Sequence, residues 1–225
     1  MGALFPMTPL QLRPRHRVLP VGTLLWRVHS VRRAPDAFNP TLADPFEFRK
    51  GNRFDGTSLD PYHCLYLADT PTTALAESVL RSRPFEPPAG LRLIPYAAVR
   101  GRSLSAVRTR CELNLVSLVE SEDLAAVCQD ATLLEDERNY VPARRWASEI
   151  RAQTPGAMGL VWQSRHNRPQ HALVLFHDRF AHWDGKPLEV APDRGVPALD
   201  SADGIAAANR LLEPLRARIS EPAGR

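Results

Sequence analysis

Lysine is almost missing from this 225-residue chain: it occurs only at Lys50 and Lys186, and every other cationic side chain besides histidine is an arginine. The formal charge is +4 and the sequence pI about 9.3. Arginine carries a planar fork of donors suited to bidentate contact with phosphate, so the composition suits an anionic ligand or an acidic partner. The denser basic stretches, residues 13–17 and 100–110, lack the interleaved aromatic residues that stack on bases. That argues against direct nucleic-acid binding as the main function. Cysteine is also sparse, with Cys64, Cys111 and Cys128 odd in number and without metal-ligand spacing, which fits reduced thiols in a reducing compartment. No apolar run approaches the roughly 18 residues needed to cross a bilayer, and no N-terminal apolar segment leads to a small-residue cleavage site. A cytoplasmic protein without a membrane span is expected. The phosphate-cradling patterns GxGxxG and GxxxxGK[ST] and the GxSxG elbow are all missing. His166, His171, His177 and His182 fit no finger or helical metal pattern, so no metal site is expected.

What the chain does contain is clearest at residues 62–83, YHCLYLADTPTTALAESVLRSR. The stretch 63–68 is rich in strand-favouring residues. Thr70 is a good N-cap, Pro71 suits the first helical turn, and Ala74, Leu75, Val79 and Leu80 recur at helical spacing. A strand thus passes into a helix within two or three residues. Tyr66 near the strand end and Glu77 two turns into the helix then ride on rigidly joined elements and can be aimed at one ligand. The blander alternative is an exposed Glu77–Arg81 ion pair, worth only about 0.3–0.5 kcal/mol.

Around this unit, residues 1–20 read as a Pro- and Arg-rich arm without periodicity. A strand follows at 23–31, with Arg27 on the same face as Leu25; a buried guanidinium there must be paired, in a salt bridge or an anion site. Residues 32–61 form a long connection of the kind kept for function. Its centre, KGNRFDG, sets Arg53 between two glycines that would let the backbone approach a ligand. Strands are expected at 91–99, 103–107 and 112–118, and helices at 121–128, with Ser121 as cap, and at 135–153. Strands 159–165 and 172–177 should pair. Past residue 183 the composition shifts, before a helical stripe of Ile205, Ala208, Leu212, Leu215 and Ile219 that Pro214 should break. Such a stripe most often packs on its own domain; a partner groove or a homodimer contact is the alternative. Strands and helices mix without regular alternation, so the fold class is α+β, with mixed, mostly antiparallel sheets and flanking helices.

Taken in order, Arg27 in LWRV, Arg53 in RFD, Tyr66 and Glu77 in LYLADTPTTALAE and Ser164 in GLVWQSR make the chain resemble the RES domain family over roughly residues 23–180. Together with the composition, the resemblance divides the chain into an arm at 1–20, a RES domain at 21–183 and a C-terminal extension with a helix at 184–225 that the resemblance does not cover. It also implies a fold similar to ADP-ribosyltransferases, and an enzyme that degrades NAD as substrate, with no cofactor. Inorganic phosphate or water would be the acceptor, and an Xre-type antitoxin the partner of a toxin. Protein ADP-ribosylation at the same site, or a silent binding module, are the alternatives. Nicotinamide is a cationic leaving group that departs neutral, so the step needs no general acid. One fixed carboxylate, Glu77, could stabilise the oxocarbenium-like ribose. Arg27 and Tyr66 join it as expected catalytic residues, Tyr66 with its aromatic face toward the nicotinamide. Arg27 and Arg53 would hold the pyrophosphate or ribose, and Ser164 would offer a hydroxyl to the ribose or to Arg27.

Overall fold

The computed structural model describes residues 9–48 and 50–220. Their frame is an eight-stranded sheet in the order β1 (His16–Leu19), β6 (Leu113–Leu118), β7 (Gly159–Gln163), β8 (His171–Phe176), β3 (Cys64–Ala68), β2 (Leu24–Ser30), β5 (Arg102–Thr109), β9 (Leu188–Val196). All neighbours run antiparallel except β6 and β7. That parallel pair demands a crossover, supplied by α2 (Ser121–Ala126), α3 (Thr132–Glu135) and α4 (Val141–Gln153). A second, two-stranded parallel sheet joins β4 (Arg92–Ile94) to β10 (Ala217–Ile219). The architecture is the mixed, mostly antiparallel α+β arrangement that the pattern predicts.

Apolar residues line both faces of the central strands, so the sheet is covered on each side. On β3, Cys64 joins a cluster with Phe54, Trp162 and Val174, and Tyr66 packs against it; Leu65 and Leu67 join another with Leu25, Val161 and Leu173. This is the period-two alternation of a strand buried on both faces. β2 and β3 share a single residue pair, Trp26 with Ala68, and then part. The long connection between them fills the gap: Asn39 pairs with Cys64 through hydrogen bonds in both directions.

The local signals around α1 (Pro71–Val79) operate as expected. Thr70 caps it, its hydroxyl accepting from the Thr73 N–H at 3.1 Å, and Pro71 occupies the first turn. Elsewhere the chain departs from its pattern. Residues 9–20 are not merely an arm, because His16–Leu19 adds edge strand β1 beside β6; residues 1–8 of the predicted arm lie outside the described residues. Only Arg92–Ile94 of the strand expected at 91–99 forms, followed by a 3-10 turn at Tyr96–Ala98, since Pro95 has no N–H for a ladder. The helix expected at 135–153 is two helices. Asp136 accepts from the N–H groups of Arg138 and Asn139 and makes a turn between them, and Pro142 opens α4. Glu120, not Ser121, caps α2, in a reciprocal capping box with Asp123.

The segment beyond 183, set apart by composition, is built into the same body. Leu188–Val196 is strand β9 against β5, and α5 (Ala202–Leu212) packs on α1. Ile205, Ala208, Leu212 and Ile219 share a core cluster with Leu75, Ala76 and Val79, and a 3-10 turn at Glu213–Leu215 carries Pro214. The helical stripe is therefore covered from within the chain. Among the described residues no helix is long and apolar enough to cross a membrane, and no group of three or more His, Cys, Asp or Glu could hold a metal ion.

Candidate active site

The helix face of α1 that looks away from α5 carries Glu77, and β7 ends one residue before Ser164. Ser164 is 0% exposed and its Oγ donates to Glu77 Oε1 at 2.7 Å. The turn that follows is stitched to the same helix. Asn167 donates its backbone N–H to Ser164 Oγ at 3.2 Å and its side-chain amide to Thr73 Oγ1 at 2.9 Å. One carboxylate oxygen of Glu77 is thus fixed by a buried hydroxyl, on a helix tied to the sheet by its cap. Arg81 does not form the ion pair that its spacing allows. Its Nε donates to the Glu77 carbonyl at 3.0 Å and its Nη1 to Asn52 Oδ1 at 3.1 Å, so it links the helix to the Arg53 loop.

Arg53 and Tyr66 meet through that loop. The phenol oxygen of Tyr66 accepts from the Phe54 N–H at 2.9 Å, while Phe54 packs edge-on against Trp162 with centroids 5.1 Å apart. Burial, reinforced by the Asp55 carboxylate, holds the Tyr66 phenol well above its ordinary value. It stays neutral, with its proton free to donate. Arg53 is 7% exposed, makes no hydrogen bond or ion pair among the described residues, and keeps a buried Nε without a partner. Its guanidinium lies 5.2 Å from the Tyr140 ring centroid, with Arg81 at 5.9 Å from the same ring. Arg53 is thus a nearly buried cation resting on an aromatic face with no carboxylate paired to it among the described residues.

Arg27 is placed differently. Its Nη1 donates to the carbonyls of Pro35 at 2.9 Å and Ala37 at 2.8 Å, and burial lowers its pKa to about 10. The partners of its Nη1 are therefore backbone carbonyls and not a carboxylate, while its buried Nε has no partner among the described residues. Among the described residues Arg27 forms no hydrogen bond or ion pair with Tyr66, Glu77 or Ser164. It clamps the start of the connection where β2 and β3 part, and so supports the bridge that Asn39 makes with Cys64. Cys64 Sγ in turn donates to Asp55 at 3.2 Å, and Asp55 also accepts from the Asn52 N–H at 2.7 Å. Arg27 reaches the Arg53 loop through these intermediaries.

Arg144, which no sequence pattern singles out, clamps the middle of the same connection. It is 0% exposed and donates to the carbonyls of Asp44, Glu47, Lys50 and Asn52 at 2.5–3.2 Å. An irregular segment cannot satisfy its own carbonyls, and one arginine here does so for four. The glycines of KGNRFDG serve the same compactness. A Cβ on Gly56 would lie 2.2 Å from the Tyr62 carbonyl oxygen, and Gly51 sits at φ +92° with Ala43 Cβ 2.5 Å from where its own Cβ would be. Gly56→Ala should cost about 1–3 kcal/mol, read as a lower midpoint in urea; an unchanged midpoint would mean the loop is not fixed in this form.

With this geometry in view, the class and family follow. The described chain is a mixed sheet holding a Glu–Ser pair, with a nearly buried, unpaired arginine on the loop that Arg81 ties to the same helix. A family model described as the RES domain matches residues 24–193, and the chain belongs to that family. No curated protein matches the sequence. Among solved structures, one chain of the M. tuberculosis MbcT–MbcA toxin–antitoxin complex is similar, with a TM-score of 0.51 and 15% identity over 81% of this chain and 89% of that chain. All five residues singled out in the sequence lie within the matched region.

Proposed function

We propose that this protein cleaves the nicotinamide–ribose bond of NAD, and that it is the toxin of a toxin–antitoxin pair restrained by an antitoxin of the Xre type. The observation that carries the reading is the Ser164–Glu77 contact of 2.7 Å, with Arg53 nearly buried and unpaired across the Arg81–Tyr140 bridge. Membership of the RES family and the likeness to a chain of a toxin–antitoxin complex support it.

In this reading Arg53 takes the pyrophosphate, where charge-assisted bonds in a low-dielectric site are strongest. Ser164 holds one oxygen of Glu77, leaving the other to accept from a ribose hydroxyl as positive charge develops on the ring. The C–N bond breaks with its electron pair on nicotinamide, which leaves neutral. Tyr66, neutral at any physiological pH, presents its ring beside Trp162 and a donor toward the ligand. Arg144 and the Nη1 of Arg27 hold the loop in place.

Purified protein incubated with NAD, with and without inorganic phosphate, and resolved by chromatography tests this. Free nicotinamide should appear together with a ribose-containing product. NAD labelled in its adenosine moiety that ends on protein would instead mark ADP-ribosylation, and no nicotinamide release would end the enzymatic reading. Arg53→Ala should raise KM for NAD about 10- to 100-fold, the value of one or two charged hydrogen bonds. An unaltered KM would remove Arg53 from the site.

A further inference from the structure

His166 lies two residues after Ser164, in the turn stapled to α1, and the proposed function makes no use of it. Its Nε2 is 2.7 Å from Glu137 Oε1, and both side chains are 11% exposed. Glu137 is itself held from two sides. Its Oε2 accepts from the Ser82 N–H and hydroxyl at 3.3 Å, just beyond α1, and Arg165 lies 3.8 Å from Oε1. A carboxylate accepts only, so the ring nitrogen facing it carries the proton. Neutral His166 is then the tautomer with a bare lone pair on Nδ1, and that atom has no partner among the described residues. The imidazole forms part of the wall of a cleft of about 740 Å³ that also contains Arg83, Arg92 and Arg138.

This is the arrangement of a base and its orienting carboxylate. We infer that His166, oriented by Glu137, is the general base for the acceptor in the NAD-cleaving step, and that the arginine-bordered cleft admits an acceptor bearing an O–H group. The acceptor oxygen bonds to ribose C1 as the bond to nicotinamide breaks. The acceptor proton passes to His166 Nδ1, and the nicotinamide leaves with its electron pair. Glu137 positions; His166 touches the acceptor. His166 follows by two residues the Ser164 whose hydroxyl holds Glu77, so the Ser164 turn joins the base to the fixed carboxylate.

Charged groups reach His166 from every side. Glu77 on α1 and Glu137 favour its protonated form, Arg165 beside it opposes that form, and burial outweighs them all, setting its pKa below the ordinary 6.5. Glu135, Asp136, Arg83, Arg92 and Arg138 face the same cleft. The imidazole is therefore neutral and able to accept a proton at pH 7, and activity should fall as acid protonates it.

The inference rests on the NAD-cleaving reading, and the test separates the two. Nicotinamide release is followed from pH 5 to 9 for the wild type, His166→Gln, His166→Ala and Glu137→Gln, with folding checked by circular dichroism. The wild type should show an acid limb. His166→Gln should be at least about 100-fold slower at pH 7, lose that limb and keep KM for NAD within a factor of two. Glu137→Gln should move the limb to lower pH, and added imidazole should partly restore His166→Ala. A folded His166→Gln with the wild-type rate and limb overturns the inference alone. His166→Ala that imidazole does not restore, beside a slow His166→Gln with an unmoved limb, also overturns it and leaves a structural role. A wild type that releases no nicotinamide removes the inference together with the reading beneath it.

Discussion

Glu77→Gln should fold as the wild type does and lose at least about 100-fold in NAD turnover. Removing one well-aimed electrostatic group typically costs about 100- to 1,000-fold. The substitution keeps the size of the side chain and an oxygen that can accept from Ser164 Oγ, so the 2.7 Å contact and the helix anchoring survive. What goes is the negative charge that the developing ribose cation requires. Binding of NAD should change little, because the ground-state ribose is neutral and the charge matters only as the bond breaks. Measured kcat and KM for the two proteins would show this split. A folded Glu77→Gln with undiminished turnover removes the carboxylate from the chemistry. A tenfold or larger rise in KM with kcat intact would instead make Glu77 a binding residue.

The second large effect is on stability and comes from Arg144. Arg144→Met keeps most of the volume and removes donors to four carbonyls of residues 44–52. Hydrogen bonds to charged groups contribute about 1.5–3 kcal/mol each, and those sharing one guanidinium do not add in full, so a loss of about 3–5 kcal/mol is expected. That lowers Tm by roughly 10 °C in a chain of this size. Arg144→Lys should fall between the two, since one ammonium has three donors and no planar fork. Because the same carbonyls frame Arg53, KM for NAD should rise in Arg144→Met even at temperatures where it remains folded. A variant with the wild-type Tm would show that the connection holds itself without the clamp.

The legible parts of the sequence were those with local causes. Thr70, Pro71 and the apolar spacing of α1 fix a helix through contacts within a turn, and the alternation in β3 fixes the face that Tyr66 presents. Glu77 and Ser164 could be nominated from their motifs, but that they touch is a property of the sheet order, which sets β7 one strand from β8 and β8 beside β3. Arg27 is the instructive case. Its burial was readable from Leu25, whereas its partners are backbone carbonyls, which carry no residue identity and leave no mark in a sequence. Arg144 escaped for the same reason, and α4 looks like any amphipathic helix with an arginine in it. Strand β9 was missed because Pro192 and Gly195 interrupt its apolar run; the register shifts between Ser105 and Ala106 of the partner strand, letting it pair despite them. His166 fits no metal pattern and reads in the sequence as a loop residue; its contact with Glu137, 29 residues away, exists only in the fold.

The placement of α5 against α1 bears on how this protein can be handled. Thr72 Oγ1 donates to the Leu211 carbonyl at 3.1 Å, and Ser220 N–H reaches the Ile94 carbonyl at 2.8 Å, so α5 and β10 share the core cluster that backs the helix bearing the proposed carboxylate. Trimming the polypeptide at residue 183 would strip an edge from the sheet and the backing from that helix at once. A minimal fragment cut there would misplace Glu77 without altering any residue near it, and its inactivity would say nothing about chemistry.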